Sequence, residues 1–516
     1  MIQPTFLLVG AFFVSWYLQR HFARRKENPA GLPLPPGPKG YPIIGNILNL
    51  PTWKAWQVYD EWFKIYGDMV YLDVMGQGLL ILGSQRRTYD LFEKRSSNYS
   101  DRPGMPMLGL MGYDYVMGVY PYGSWWRRHR RAFHDFFHPN VIARHGPIQT
   151  ATSRAFLRNL LESPEDFFSL IRLAFASTVM KIAYGLDVKE MNDPYVSNVE
   201  KAMHGLSEGG DPGKFLVNLL PSMKHIPSWF PGASWKRMAE SFAALNKKVA
   251  DAPFELVKKQ IVRVPPPSIF SSTLIEGLAD RTDLNREEEE RISRDICALA
   301  YFAGADTTVS SVQSFFLAMC LYQEVQKKAQ AELDNVLKGR LPEFKDRPFL
   351  PYINALIMET LRWQPIAPLG VPHMATNSDS YGGFFIPKGT IVMGNIWTIL
   401  HDPENYDKPE EYNPERFLTK DGKLKSDVYI PGTAAFGFGR RVCAGRFLSD
   451  TSLFSTIAHV LSVYDIRPGL DDDGREIQIK PEITSGAISY PVPFKCRIIP
   501  RSKAAENLIR ESEFID

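Results

Sequence analysis

Between Arg286 and Leu321 apolar side chains recur at helical spacing for about 36 residues, with no proline among them. One continuous helix of that length measures roughly 54 Å, long enough to cross an entire domain. Helical periodicity also marks Ile148–Leu161, Phe167–Tyr184, Trp235–Val262 and Leu350–Arg362. Short strand-like pieces fall at Val70–Asp73, Leu79–Leu82, Phe384–Ile386, Thr390–Met393 and Phe494–Ile499, each bounded by Gly, Pro or Lys. The expected fold is mainly α, a large helical body with small peripheral β-sheets. No strong linker interrupts the chain beyond Trp53, so residues 51–500 are expected as one domain, followed by a charged tail over 501–516.

The start of the chain is different in kind. Ile2–Leu18 is strongly apolar and sits at the short end of what spans a bilayer of about 30 Å. The cations (Arg20, His21, Arg24, Arg25, Lys26) come after that run instead of preceding it. A cleaved signal peptide needs the reverse order. Residues 1–19 therefore read as a single transmembrane helix, with the basic flank holding the rest of the chain on the cytoplasmic side. Residues 20–50 form that flank and a hinge, in which Leu32–Pro42 holds five prolines and favours a stiff extended conformation. The segment is a linker, and a stiff one can also set the body at a defined distance from the membrane.

With 516 residues a substantial core is easily built. A formal charge of +3 spread over that length does not suit nucleic-acid binding, and no fixed-period repeat is present. The four cysteines, Cys297, Cys320, Cys443 and Cys496, are scattered without paired spacing, which points to neither a disulfide framework nor a zinc site. A special cysteine here must act alone.

Cys443 is the one whose surroundings are unusual. It lies in Phe436-Gly437-Phe438-Gly439-Arg440-Arg441-Val442-Cys443-Ala444-Gly445-Arg446, where glycines permit tight turns and close approach to a flat ligand. Arg446–Val460 reads as a helix beginning just after the thiol, so its dipole favours the thiolate. The other three cysteines read as small buried hydrophobes. This run resembles the haem-binding loop of the cytochrome P-450 family, Phe-x-x-Gly-x-Arg-x-Cys-x-Gly, matched at Phe436, Gly439, Arg441, Cys443 and Gly445. The resemblance implies haem b, Cys443 as ligand of its iron, and Arg441 as partner of a propionate.

Three further motifs stand in the order that family has them. Glu359 and Arg362, spaced to share one helix face, are by themselves an ordinary ion pair; with Arg416 in Pro414–Phe417 the resemblance makes them a buried structural network. Within the long helix stands Ala303-Gly304-Ala305-Asp306-Thr307-Thr308. Glycine inside a helix costs about 1 kcal/mol and wants a reason. A packing glycine beside a solvated Asp is one reading. A local opening beside Thr307 is the other, with Asp306 and Thr307 as an acid–alcohol pair for proton delivery, and the resemblance favours it. In Trp125–Arg131, Trp126 and Arg130 share a helix face, and the resemblance gives them haem propionates as partners. The opposite face (Arg127, Arg128, Arg131) is either a solvated basic surface or a dock for an acidic redox partner. His373 falls where relatives place a basic propionate contact, although a histidine is more often satisfied locally.

The resemblance implies a monooxygenase that inserts one oxygen atom from O2 into a lipophilic molecule. Electrons would come from NADPH through an NADPH–haemoprotein reductase, with cytochrome b5 as a further donor, because no flavin or nicotinamide fingerprint occurs in the chain. The chain looks most like fungal microsomal members of secondary metabolism, which implies an endoplasmic reticulum membrane anchor and a terpenoid or similar substrate. Pocket segments by analogy are Met105–Met117, Ala202–Val217, Phe302–Ala303, Ile366–Val371 and Ile483–Ile488, mostly apolar with pliable methionines. The competing functions are a haem-thiolate isomerase or dehydratase and a non-enzymatic membrane haem protein; neither needs Asp306 and Thr307.

Overall fold

The computed structural model describes residues 26–188, 190, 193–210, 215–261, 270–279 and 285–515. The expected membrane helix over residues 1–19 and most of its basic flank lie outside the described residues. Two compact units emerge. The smaller is built from the chain up to Gly104, from Leu369–Ile399 and from Phe438–Arg441; the larger takes Met105–Pro368, Leu400–Gly437 and Val442–Asp516. Three separated segments make the smaller unit, so no linker in the sequence could have marked its boundary.

In the smaller unit helix α1 (Ala55–Tyr66) leads into the antiparallel hairpin β1 (Met69–Val74) and β2 (Gln77–Leu82). Its two-residue turn has positive φ at both Met75 and Gly76, the geometry whose twist suits adjoining strands. The chain later returns as β3 (His373–Met374), the hairpin β4 (Asp379–Tyr381) and β5 (Phe384–Ile386), and β6 (Ile391–Gly394). β6 lies parallel to β2 and antiparallel to β3, giving the order β1-β2-β6-β3. Tyr59, Leu72, Val74, Leu79, Ile81 and Met393 form the apolar layer between α1 and this sheet.

The proline-rich segment is bonded to the strands. Pro36 accepts the N–H of Tyr71 on edge strand β1 at 2.8 Å, and Pro33 accepts that of Phe385 on β5 at 2.8 Å. Prolines have carbonyls but no N–H, so an extended proline run can satisfy strand donors. Gly37 allows the approach: a Cβ there would stand 2.1 Å from the Tyr71 carbonyl oxygen.

The larger unit is helical. Its main elements are α2 (Ser124–Phe137), α3 (Gly146–Glu162), α4 (Phe167–Tyr184), α5 (Pro194–Gly209), α6 (Ser234–Ile261), α7 (Arg286–Leu321), α8 (Gln323–Leu337), α9 (Pro351–Trp363), α10 (Arg446–Val463) and α11 (Lys503–Glu511). Strands β7 (Tyr464–Pro468) and β8 (Cys496–Pro500) pair antiparallel. The expected long helix is α7, unbroken, with α4 packed along it. The approach is close at Gly304, where a Cβ would stand 2.9 Å from Val179 on α4. By length and composition Pro164–Tyr184 could cross a membrane, but most of it is buried in the protein.

Helix α9 starts on Pro351, whose missing N–H is harmless at a first turn. Glu332 of α8 accepts the next two backbone donors, Tyr352 at 2.9 Å and Ile353 at 3.0 Å. The charged tail is not loose. Ser502 caps α11 by accepting the Ala505 N–H, Ala505 and Ile509 are buried against α3 and α10, and Arg158 of α3 donates to Ser512 at 2.9 Å. Four of the nine residues of α11 are charged, which hid its short apolar stripe (Ala505, Leu508, Ile509).

Candidate active site

Cys443 immediately precedes α10, whose N-cap is Gly445. Its own N–H donates to the Phe436 carbonyl at 2.8 Å, closing the loop. The sulfur is exposed, yet burial by surrounding protein pushes the thiol pKa up. Pulling the other way are backbone donors of Gly445 and Arg446 and the charges of Arg130 and Arg446. Arg130 is itself pushed down by burial and by Arg446, and drawn up by Cys443. The site therefore offers an anion two cations and a helix N-terminus.

Along Ile292–Cys320 only Arg294, Ala303, Gly304 and Thr307 escape full burial. Ala303 and Thr307 are one turn apart, so a helix sealed on every side is open at one window. It lies near the thiol loop: Thr308 donates to Ser449 of α10 at 3.3 Å, and the Ser449 N–H bonds the Gly445 carbonyl at 3.0 Å. The helix does not open locally here. Thr307 donates its hydroxyl to the Ala303 carbonyl at 2.8 Å, and Val179 accounts for Gly304 by packing. Asp306 is neither solvated nor bonded to Thr307. It is buried, accepts a hydrogen bond from the Tyr490 hydroxyl, and has its pKa raised by burial.

On α2, Trp126 is buried with its ring 5.1 Å from Tyr122, and Arg130 shares its face. The opposite basic face is partly used internally, because Arg128 pairs with Glu288 at 2.6 Å and Glu289 at 2.9 Å of α7; Arg127 and Arg131 remain exposed.

In the smaller unit a second basic group gathers. Arg441 donates to the Ser100 carbonyl at 2.7 Å, and Arg102 to the carbonyls of Val371 at 2.8 Å and Pro372 at 2.7 Å. His373 is buried, stacked 4.0 Å from Phe92, with Nδ1 2.6 Å from the Tyr99 carbonyl. Burial, then Arg102 and Arg441, hold its pKa well below the usual imidazole value. Burial and Arg441 push Arg102 down to about 9, still charged at neutral pH. Gly439 makes the turn here with φ +59°, its would-be Cβ 2.1 Å from the Phe92 carbonyl oxygen.

Glu359 and Arg362 form a bidentate pair at 2.7 and 2.8 Å with neither side chain exposed, and Arg416 adds a bond to Glu359 at 3.2 Å. The Asn413 N–H donates to the same carboxylate at 2.7 Å. This network ties α9 to the segment that leads toward the thiol loop.

A sequence model of the family described as Cytochrome P-450 matches residues 35–495. The chain belongs to the cytochrome P-450 family. The cytochrome P-450 monooxygenase COX2 of Coprinopsis cinerea is 47% identical over 484 residues, 93% of this chain and 92% of the relative. COX1 of the same fungus is 41% identical over 520 residues, 99% and 100% of the two chains. A third, ple1 of Rhodocybe pseudopiperita, is 41% identical over 479 residues, 92% and 91%. As a cytochrome P-450 monooxygenase the protein is an oxidoreductase whose family cofactor is haem.

The residues present fit that cofactor. Among the described residues no cluster of three or more His, Cys, Asp or Glu could hold a metal ion. A Cβ on Gly445 would meet nothing within 4 Å, and φ there is −90°, so neither packing nor backbone strain asks for glycine beside the thiol. That space suits a flat ligand. The pocket segments are likewise apolar: Met107, Leu108, Met111, Ala202 and Phe302 are buried in one cluster, with Ala303, Ala444 and Ile488 packed on it. Residues 211–214 lie outside the described residues, and Leu369–Val371 belongs to the smaller unit. Sequence reasoning missed Arg102 and Tyr490. Asp101-Arg102-Pro103 is a weak turn signal, and nothing local singles out a tyrosine between Ser489 and Pro491.

Proposed function

We propose that the protein is a membrane-anchored monooxygenase that inserts one oxygen atom from O2 into a lipophilic secondary metabolite, a terpenoid or a compound of similar polarity. Cys443 would be the iron ligand of haem b, with Phe436, Gly439 and Gly445 shaping its loop. Arg441, His373, Trp126 and Arg130 would bind the propionates. Haem held by a thiolate supplies the capacity to bind dioxygen and cleave its O–O bond. The protein's part is to hold the sulfur as an anion, keep the pocket apolar, and deliver protons from Asp306 through the Thr307 hydroxyl. Electrons would enter from NADPH through a haemoprotein reductase, with cytochrome b5 assisting, and Arg127 and Arg131 are free to face such a partner. Residues 1–19 would anchor the chain in the endoplasmic reticulum membrane, leaving the body in the cytoplasm.

The observation carrying this reading is an accessible sulfur at the N-terminus of α10, flanked by Arg130 and Arg446, beside a window at Ala303 and Thr307 in an otherwise sealed helix. The haem-thiolate band of the reduced CO complex, near about 450 nm, is expected in the purified protein and absent from Cys443→Ala. Survival of the band in that variant would exclude Cys443 as ligand. Product analysis by mass spectrometry, with a reductase co-expressed and a panel of terpenoid, aromatic and fatty candidates supplied, identifies the substrate; a panel consumed only without NADPH dependence would refute monooxygenation.

A further inference from the structure

Between Trp126 and Arg130 on α2 stands His129, a side chain that water does not reach. Its two ring nitrogens meet different partners. Nδ1 lies 3.0 Å from the Trp125 carbonyl, one turn back on α2, and Nε2 lies 3.4 Å from the carboxylate of Asp295 on α7. A carbonyl oxygen can only accept, so Nδ1 carries a proton. Asp295 also receives Nε and one terminal nitrogen of Arg294, at 3.1 and 2.7 Å, and has the Arg291 Nε at 3.7 Å. With two guanidinium groups against it Asp295 is a carboxylate, and a carboxylate likewise only accepts. Nε2 must then carry a proton too. The ring is an imidazolium, buried against an aspartate that is itself wholly buried.

The pair is dry and enclosed. The rings of Tyr120 and Trp125 close on His129, with centroids 5.2 and 4.7 Å away, and Arg294 is drawn outward to Asp251 of α6 at 3.1 Å. Helix α2 is thus pinned to α7 at two heights. The outer pin is Arg128 on Glu288 and Glu289, where all three side chains are partly exposed. Solvent makes such a contact weak. The inner pin is His129 on Asp295, about two turns further along α7, where charge attraction is strongest. Trp-x-x-His-Arg therefore holds two kinds of residue: Trp126 and Arg130, which the fold leaves for a ligand, and a histidine spent on the neighbouring helix.

We propose that the His129–Asp295 pair is the positioning contact that sets α2 on α7 and so fixes where Trp126 and Arg130 meet the haem propionates. The inference rests on the reading that those two side chains bind propionates. His129 adjoins Arg130 in the chain and lies one turn from Trp126, so any roll or slide of α2 that lengthened the contact with Asp295 would carry both with it. Arg130 also acts on the Cys443 thiol through its charge, so the same displacement would be felt at the sulfur.

The test compares the full-length haem-loaded protein with His129→Phe, Asp295→Asn and Arg130→Gln. His129→Phe keeps a ring between Tyr120 and Trp125 but removes the charge; Asp295→Asn keeps the shape and removes the opposite charge, and carries the test if His129→Phe does not fold. The propionate bending bands in the resonance Raman spectrum report the propionate contacts without turnover, and the rate at which haem transfers to an excess of a haem-free globin reports how firmly it is held. His129→Phe and Asp295→Asn should both shift the propionate bands and speed haem loss several-fold. Wild-type bands and haem-loss rates in these two variants, while Arg130→Gln changes them, overturn the inference even if both variants unfold at lower urea, because the pair then only stabilises the fold; the propionate reading stands. A shift confined to one of the two also overturns it, since the charge pair would not be the cause. If Arg130→Gln moves neither quantity, the propionate reading fails and takes this inference with it.

Discussion

Glu359 offers the sharpest quantitative test of what holds the larger unit together. Its carboxylate receives both donors of the Arg362 fork, the Arg416 Nε and the Asn413 N–H, and water reaches neither Glu359 nor Arg362. Glu359→Ala leaves the Arg362 guanidinium in that dry site with only the Leu400 and Glu411 carbonyls, each at 3.1 Å. Breaking a buried pair in this way costs about 3–5 kcal/mol, and the orphaned Asn413 N–H adds about 1–3 kcal/mol. Against a total stability of roughly 5–15 kcal/mol, the single variant should be at or past the edge of folding. Arg362→Met should cost less than Glu359→Ala but still more than about 1 kcal/mol, because the buried carboxylate loses both donors of the fork and keeps only Arg416 at 3.2 Å and the Asn413 N–H at 2.7 Å. The double variant Glu359→Leu with Arg362→Met removes both charges, and Arg416, which keeps the Asp407 carbonyl at 2.7 Å, is little affected. Its loss should fall short of the sum of the single losses by at least about 2 kcal/mol. Urea unfolding of the detergent-solubilised full chain, followed by tryptophan fluorescence and by loss of the haem band, measures all four corners of the cycle. Single losses below about 1 kcal/mol, or a double loss equal to the sum, would refute the claim that the pair is desolvated and mutually dependent.

Other consequences are simpler to check. Gly439→Ala should abolish the CO band or drive the protein into aggregates, since the new Cβ would stand 2.1 Å from the Phe92 carbonyl at a φ of +59°; a normal spectrum would show that this loop relaxes freely. Thr307→Ala should divert electrons into hydrogen peroxide, while Thr307→Ser, which can keep the bond to the Ala303 carbonyl, should restore most of the coupling. His459 is fully buried and its pKa is pushed down to about 4, so between that pH and about 6.5 the unfolded chain binds a proton that the native one refuses. The stability His459 confers is therefore complete above the unfolded value and lost as pH falls through that window, up to about 3 kcal/mol. In His459→Leu the acid side of the stability profile should flatten, and an unchanged slope would contradict the assignment.

Long, strongly patterned elements were legible in the sequence. Phe167–Tyr184 and Arg286–Leu321 occupy the predicted spans, and Ile148–Leu161, Trp235–Val262 and Leu350–Arg362 are displaced by one or two residues at their ends. Proline 253 sits within α6 without ending it, because packing of Val249, Phe254 and Val257 outweighs local preference. The thiol loop and the Glu359 network could be seen because motif spacing is written along one chain. Three things were not legible, and for one reason. That the proline-rich segment serves as acceptor for β1 and β5, that Gly304 answers to Val179, and that Asp306 answers to Tyr490 are each decided by a partner far away in sequence, which no local pattern encodes.

The make-up of the smaller unit bears on how the chain is born. Its first segment ends at Gly104, yet β2 cannot pair with β6 until residue 394 has been made, and Gly439 cannot close on Phe92 until residue 439 is free. At a synthesis rate of about 5–20 residues per second, the 290 residues from 104 to 394 (394 − 104) take roughly 15–58 s, during which one side of β2 has no neighbour. An unpaired strand with buried-type residues at Leu79, Leu80, Ile81 and Leu82 is a sticky surface for that interval. Yield on expression should accordingly respond to chaperone supply and translation speed more than the finished protein's stability would suggest, and the last few residues to arrive are those just before Cys443.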